Sequence, residues 1–247
     1  MLAIAAATGC SFAAGDPGAG QGSTGPDGGA AAARKPCDFT DSTLQLCLDF
    51  DDIRLGLDAS PGHHDANVSS VNTMARTTTE LAAVLSSAST IQVPKTAALD
   101  IVGAISYELW INPAVAPSSR FYGIDNTGQY GLSIMPDRRV RCSIAGMHVD
   151  SHDSIALGAW THVGCTYEGA TLTVFINGGV ADCYNMTLPI STSGTAGTSI
   201  GSPFVGAVDN VHVLARALTP AEMCTRASQS GCEASCPEGG GGGGGGD

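Results

Sequence analysis

Basic residues are scarce in this sequence. Eleven lysines and arginines stand against 23 aspartates and glutamates over 247 residues, a formal net charge of −12. Such a chain repels phosphate backbones, which removes the electrostatic attraction that nucleic-acid binders depend on. No apolar run approaches the roughly 20 residues a helix needs to span a bilayer. Aromatic residues are few as well: 2 tryptophans, 5 tyrosines and 6 phenylalanines. Stacking platforms for sugar rings are correspondingly limited. Three catalytic or metal signatures are also missing. There is no C-x-x-C pair of the zinc type, no E-x-D-x-E run, and no histidine with an evident serine or cysteine nucleophile beside it.

Glycine is plentiful, with 33 residues, but unevenly placed. Seven lie between Ser11 and Pro36, eight form the run Gly239–Gly246, and 17 fall between Cys37 and Cys232, an ordinary share for a globular segment. The ends lack the apolar periodicity that offsets the entropy of ordering a chain. The expected organisation is a spacer over 11–36, one folded unit over 37–232 and a disordered Gly-rich tail over 233–247. Over 37–232 the balance is 9 basic against 18 acidic residues.

Of the nine cysteines, Cys10 stands apart. Ala7-Thr8-Gly9-Cys10, after a short apolar stretch, resembles a bacterial lipobox, although no positive n-region precedes it. The resemblance implies lipidation at Cys10 and a membrane association made only through that lipid. Residues 1–10 are then a truncated signal, and the location is the bacterial cell envelope, as an outer-membrane lipoprotein or at the cell surface. The other eight cysteines form an even set, as expected in an oxidising compartment. Spacing suggests Cys37–Cys47 and Cys224–Cys232 as short loops and Cys142–Cys165 as a bridge between neighbouring strands. Cys183 and Cys236 stay unassigned.

The middle of the chain alternates. Leu44, Leu46, Leu48 and Phe50 interleave with Gln45, Cys47, Asp49 and Asp51, the period-2 pattern of a half-buried strand. Ile105–Pro113 repeats it, and YGLSIMP, RVRCSIAG, WTHVGCTYEG, ATLTVFINGG and AVDNVHVLA follow as short β-rich runs. Many short strands separated by turn residues indicate a β-sandwich. Thr77–Ser89 has helical propensity, but its surroundings assign strands near Leu81–Leu85 and Thr90–Val93. Asn177-Gly178 favours a primed hairpin turn. Thr219-Pro220-Ala221-Glu222 combines a Thr cap, a proline at the first helical position and a Glu at the third. It predicts a helix running to about Ala227.

ISYELWINP, then GAWTHVGCTYEGATLTVFINGGVA, then IGSPFVGAVDNVHVLARALTPAEM together resemble a laminin G-like jelly-roll domain of the concanavalin A-like lectin/glucanase superfamily. The match covers roughly Leu44 to Met223. Trp160-Thr161-His162-Val163, Phe175-Ile176-Asn177-Gly178 and Gly206–Asp209 with Leu218 and Glu222 are its most specific parts. The resemblance implies an all-β fold: two antiparallel sheets in a jelly-roll sandwich, first and last strands adjacent, with one short C-terminal helix. It also implies that Trp110 and Trp160 belong to the core and that His162 is structural.

Seven acidic residues crowd into 38–65 with only Arg54 to offset them. Hard oxygen donors at this density suit calcium, or simply a solvated acidic loop. The resemblance places a structural calcium near Asp51 and Asp209, with Asp58 as a further ligand. His148, Asp150 and His152 share one face if extended and could suit a transition metal, or form a solvated strand edge. His63-His64-Asp65 sits in a Gly/Pro-flanked loop. Glu80, Glu108, Glu168 and Glu222 are dispersed, which disfavours the paired carboxyls of a glycoside hydrolase. The reading that results is a non-catalytic, surface-anchored, monomeric module binding an extracellular glycan or protein through its loops or concave face. The alternatives are a glycan-active hydrolase or its accessory, and a structural envelope lipoprotein.

Overall fold

The computed structural model describes residues 37, 40–187, 189–190 and 196–237. The lipobox with Cys10, the whole spacer over 11–36 and the terminal glycine run lie outside the described residues. The strands are β1 (Leu44–Leu48), β2 (Asn67–Ser69), β3 (Asn72–Ala75), β4 (Leu81–Leu85), β5 (Thr90–Val93), β6 (Ile105–Pro113), β7 (Phe121–Asn126) and β8 (Tyr130–Ile134). They continue as β9 (Arg139–Ile144), β10 (Met147–Ser154), β11 (Thr161–Tyr167), β12 (Thr171–Ile176), β13 (Gly179–Asn185), β14 (Thr198–Ser202) and β15 (Gly206–Leu214). One α-helix, α1 (Pro220–Arg226), follows.

Eight strands form one antiparallel sheet in the order β13-β12-β11-β6-β15-β4-β3, with β1 also on β15. β15 shares one edge between two partners. Its residues 206–208 pair with β4 and its residues 211–214 with β1, so the first and last strands are adjacent. The second sheet has seven strands in the order β10-β9-β8-β7-β14-β5-β2. Side-chain alternation sends Leu46, Leu48, Tyr107, Leu109, Ile111, Ile124, Leu132 and Val163 between the sheets, where all are fully buried. Each such side chain contributes about 1.5–3 kcal/mol. This is a two-sheet jelly-roll sandwich.

Cys142 and Cys165 pair, but they span the core from β9 in one sheet to β11 in the other. They do not bridge neighbouring strands, because those strands face each other across the sandwich. Cys37–Cys47 and Cys224–Cys232 also pair, and Cys183 joins Cys236. With the Val180 amide donating to the Glu233 carbonyl at 2.9 Å, that last bond carries the folded unit past residue 232.

A second apolar cluster lies on the outer side of the eight-stranded sheet. Cys37, Cys47, Phe175, Val180, Cys183, Leu218 and Met223 are among its members. α1 closes it. Seven residues are too few for an isolated helix, so local and tertiary contacts hold this one. The Thr219 hydroxyl accepts from the Glu222 amide at 3.2 Å, and the Glu222 carboxylate accepts from the Thr219 amide at 2.8 Å. Two glycines make room for α1. A Cβ at Gly164 would sit 2.9 Å from Met223 Sδ. At Gly178, which has φ +78° in the Asn177-Gly178 turn, a Cβ would sit 2.6 Å from Cys224 Cα. α1 therefore builds over part of one outer face of the sandwich.

Candidate ligand-binding face

The outer face of the seven-stranded sheet is polar along its whole width. Strand register aligns Asn67 with Gln92, Gln92 with Ser199, Ser199 with Asp125, Asp125 with Gly131, Gly131 with Ser143, and Ser143 with His148. One line of outward positions thus crosses all seven strands. A second line runs Ser202, Tyr122, Ser133, Arg141, Asp150. Inward neighbours such as Ile124, Leu132, Cys142 and Val149 fill the core. The alternation is what a sheet with one buried and one wet face requires.

Where the two lines meet β7–β10, a shallow cleft of about 200 Å³ opens, lined by Arg120, Tyr122, Asp125, Arg141, Ser143 and His148 among others. A register shift between Tyr122 and Ile124 places Gly123 in a bulge, so Tyr122 and Asp125 both point outward. The Arg120 guanidinium lies 6.0 Å from the Tyr122 ring centroid, a cation–π distance. Arg141 donates twice to Asp150, at 2.6 and 2.8 Å, a bidentate pair that fixes both side chains. Burial pushes the Asp125 carboxyl above its ordinary value, against the Thr127 hydroxyl and the Arg120 charge. Gly131 leaves bare backbone between Asp125 and Ser143, and the Ser143 hydroxyl donates to its carbonyl at 3.1 Å. Paired donors and acceptors around one aromatic ring suit a ligand rich in hydroxyls.

This face corrects the transition-metal reading of the histidine segment. The register shift between Asp150 and Ser154 breaks its alternation. His148 lines the cleft, Asp150 binds Arg141, and exposed His152 turns to Asp182 at 3.6 Å. The few aromatics of the sequence point to no sugar site by themselves. The missed signal was the outward parity of YGLSI and RVRCSI, which sets Ser133, Arg141 and Ser143 beside Tyr122. Tyr130 points inward and donates to the Leu99 carbonyl at 3.2 Å.

The two tryptophans are not core residues. Trp110 occupies an outward position of β6, between inward Leu109 and Ile111, and both Trp110 and Trp160 are half-buried on the eight-stranded face. The Arg76 guanidinium lies 5.0 Å from the Trp110 ring and 6.0 Å from the Trp160 ring. Arg76 also pairs with Asp209 and, at 2.6 Å, with Glu80.

The three carboxylates expected to hold calcium do not make one ligand set. Asp58, fully buried, accepts from the Cys47, Ser60 and His64 amides at 2.8, 2.9 and 2.7 Å and from the Ser60 hydroxyl at 2.7 Å. Those four donors occupy the lone pairs a metal would need. The His63-His64-Asp65 loop is the wrap around this carboxylate, with the Asp58 amide donating to Asp65 at 2.9 Å. Asp209 has Arg76 as its cation, and burial still pushes its carboxyl up to about 7. Asp51 accepts from the Leu81 amide at 2.6 Å. Among the described residues, no trio of metal-ligating side chains that includes Asp51, Asp58 or Asp209 converges. Protein donors already perform the joining role that calcium was expected to have.

Glu108 is also not solitary. It is 1 % exposed at an outward position of β6, where α1 covers it. His212 Nδ1 lies 2.9 Å from one carboxylate oxygen, His162 Nε2 lies 3.3 Å from the other, and Arg226 of α1 closes an ion pair. Burial opposes its charge, but Arg226 and the two imidazoles hold the Glu108 carboxyl well below the usual carboxylate range. Burial and the Arg226 charge push the His212 imidazole below its ordinary value. These residues fasten α1 to the sheet.

A two-sheet sandwich with one outer face partly built over and the other polar and, among the described residues, uncovered defines a jelly-roll module of the lectin-like class. The chain belongs to the concanavalin A-like lectin/glucanases superfamily, with the Laminin_G_3 family model matching residues 85–224. No curated protein sequence matches it. Among solved structures it is similar to domain 4 of AbnA, a GH43 extracellular arabinanase from Geobacillus stearothermophilus, in complex with arabinotriose. Identity there is 21 % and the TM-score 0.60, over 75 % of this chain and 98 % of that one. It is similar as well to the binding domain of Paraclostridial Mosquitocidal Protein 1, at 16 % identity and TM-score 0.60, covering 75 % of this chain and 52 % of that one. A botulinum neurotoxin type C structure, whose cell entry depends on two ganglioside molecules, aligns at 13 % identity and TM-score 0.58, over 75 % and 51 %. The chain spans about half the length of these toxin chains. At such identities the likeness is one of fold. Four disulfides fit a secreted or surface-exposed protein.

Proposed function

We propose that this protein is a non-catalytic glycan-binding module whose ligand lies across the outer face of the seven-stranded sheet. The observation that carries the reading is the polar row through Ser199, Asp125, Gly131, Ser143 and His148 beside the Tyr122–Arg141 cleft. Tyr122 offers a ring face for stacking, while Asp125 and the Arg141–Asp150 pair offer acceptors and donors for ring hydroxyls. The buried carboxylate Glu108 is sealed beneath α1 and neutralised by Arg226, which supports binding over hydrolysis. Related folds that carry glycan ligands, such as the arabinotriose complex, support the same reading.

Lipidation at Cys10 would tether the module to the bacterial envelope, with residues 11–36 as spacer, the module acting as a monomer. A glycan array probed with the full chain tests the proposal. Reproducible hits that disappear in Tyr122→Ala support it. Hits that persist in that variant but vanish in Trp110→Ala would move the site to the opposite sheet. Release of free sugar would make the protein an enzyme.

A further inference from the structure

On the outer side of β1 and β15, Cys47 is the cross-strand partner of His212, and the Cys37–Cys47 disulfide lies beside that imidazole. Both sulfurs and a ring nitrogen of His212 fall within 4.8 Å of one another, and all three residues are buried. His212 is 5 % exposed, and its Nε2 has no hydrogen-bond partner. Its Nδ1 faces Glu108 Oε1 at 2.9 Å. A carboxylate holding Nδ1–H fixes the tautomer that leaves Nε2 as a ligand, the arrangement found behind metal-bound histidines. Asp49 Oδ2 lies outside this cluster but 3.8 Å from Cys37 Sγ, and Asp49 follows Cys47 by two residues, so a rotation of its side chain brings a fourth donor.

We infer that reduction of the Cys37–Cys47 disulfide opens a site for zinc or another thiophilic divalent cation, formed by Cys37, Cys47 and His212 Nε2 and completed to a tetrahedron by Asp49 once its side chain rotates in. In the oxidised protein the sulfurs are bonded to each other and cannot serve as thiolates, so the disulfide and the metal exclude one another. A phosphine reductant delivers two electrons to the S–S bond and takes the oxygen of one water, whose two protons leave two thiols. The metal then displaces both thiol protons and binds two thiolates, one neutral imidazole and one carboxylate. The product is a Cys₂HisAsp centre of net charge −1 with no fixed open position. The disulfide ties residue 37 to β1 in the oxidised protein, and the metal would keep that tie after reduction while adding a link to β15 through His212. An unpartnered, buried Nε2 beside a disulfide is accounted for by this second state.

The test uses the full chain reduced with a trialkylphosphine. Zinc is added, free thiols are alkylated, and each cysteine is followed by peptide mass spectrometry. Cys37 and Cys47 should alkylate at least tenfold more slowly with zinc than without, while Cys183, Cys224, Cys232 and Cys236 change little. Cobalt(II) should give the visible absorption of a tetrahedral thiolate complex at one equivalent. His212→Asn should abolish the protection, and Asp49→Asn, at a less buried position, should weaken it with the fold intact by circular dichroism. Equal alkylation of Cys37 and Cys47 with and without zinc overturns the inference. So does protection that survives both substitutions. Neither result bears on glycan binding by the oxidised protein.

Discussion

Asp125 and Ser143 stand on either side of Gly131, on adjacent strands of the seven-stranded sheet, with only glycine backbone between them. A Cβ at Gly131 would lie 3.1 Å from the Ser143 hydroxyl and 3.3 Å from the Ile124 carbonyl. The gap is therefore too narrow for even a methyl group unless its neighbours give by a few tenths of an ångström. Filling it with Gly131→Val should cost at least tenfold in glycan affinity, about 1.4 kcal/mol. The fold should survive with a lowered melting temperature, because the added atoms face outward but press on Ser143 and the Ile124 carbonyl. Calorimetric titration together with thermal melts checks both halves of the prediction.

Tyr122→Ala removes the ring that Arg120 covers. Affinity should fall about tenfold, the upper range of aromatic stacking energies. The melting temperature should stay nearly constant, since Tyr122 is only half-buried. A large drop in stability without a drop in affinity would assign the residue to packing.

Chelation with EGTA should leave the melting temperature unchanged, because Asp58 and Asp209 already have protein partners. Asp58→Ala, by contrast, should destabilise the domain by about 3 kcal/mol or more, since three amides and a hydroxyl lose one charged acceptor. Denaturant unfolding of the variant measures this loss. A melting point that falls on chelation would restore calcium.

His212 should contribute a loss of stability from about pH 6.5 downward, set against a gain from Asp209, whose carboxyl is pushed up to about 7 and takes a proton in the folded state first. Burial depresses the folded-state pKa of His212 below its ordinary value of 6.5. In that window the unfolded chain binds more protons at this imidazole, so its contribution falls with pH by up to about 1.4 kcal/mol per unit. Glu108, also depressed in the folded state, adds a second loss as pH falls below its ordinary value of 4.5. His212→Gln should remove the first phase and leave the second, as read by melting temperature against pH.

Cys183→Ser with Cys236→Ser opens a bond spanning 53 residues. The chain-entropy argument gives a loss of about 4 kcal/mol. Ending the chain at residue 232 should have a similar effect, because the Glu233 carbonyl also accepts from Val180.

Much of this architecture was legible from short-range pattern. Period-2 alternation located β1 and β6, short β-rich runs between turn residues located β8, β9, β11, β12 and β15, and the Thr-Pro-Ala-Glu cap located α1. β2 and β3 were missed because Asn67–Ser69 and Asn72–Ala75 bury almost nothing and therefore have no apolar period. The site was harder to read, because it is a property of register. Nothing in the sequence says that Ser199, Asp125, Gly131, Ser143 and His148 stand in one line. The same holds for Cys142 and Cys165, whose spacing suggests a bond but not that it crosses the core. Local composition also misled at 38–65, where Asp58 looked like a free calcium ligand and proved to be the acceptor that organises its own loop.

The central claim is that the open face of the seven-stranded sheet binds glycan. Chemical-shift mapping of the full chain, titrated with oligosaccharides that score on an array, tests it most directly. The account predicts shifts concentrated at Tyr122, Asp125, Gly131, Arg141, Ser143 and His148, lost in Tyr122→Ala. Shifts confined to Trp110, Trp160 and Arg76, or none at saturating sugar, would contradict it.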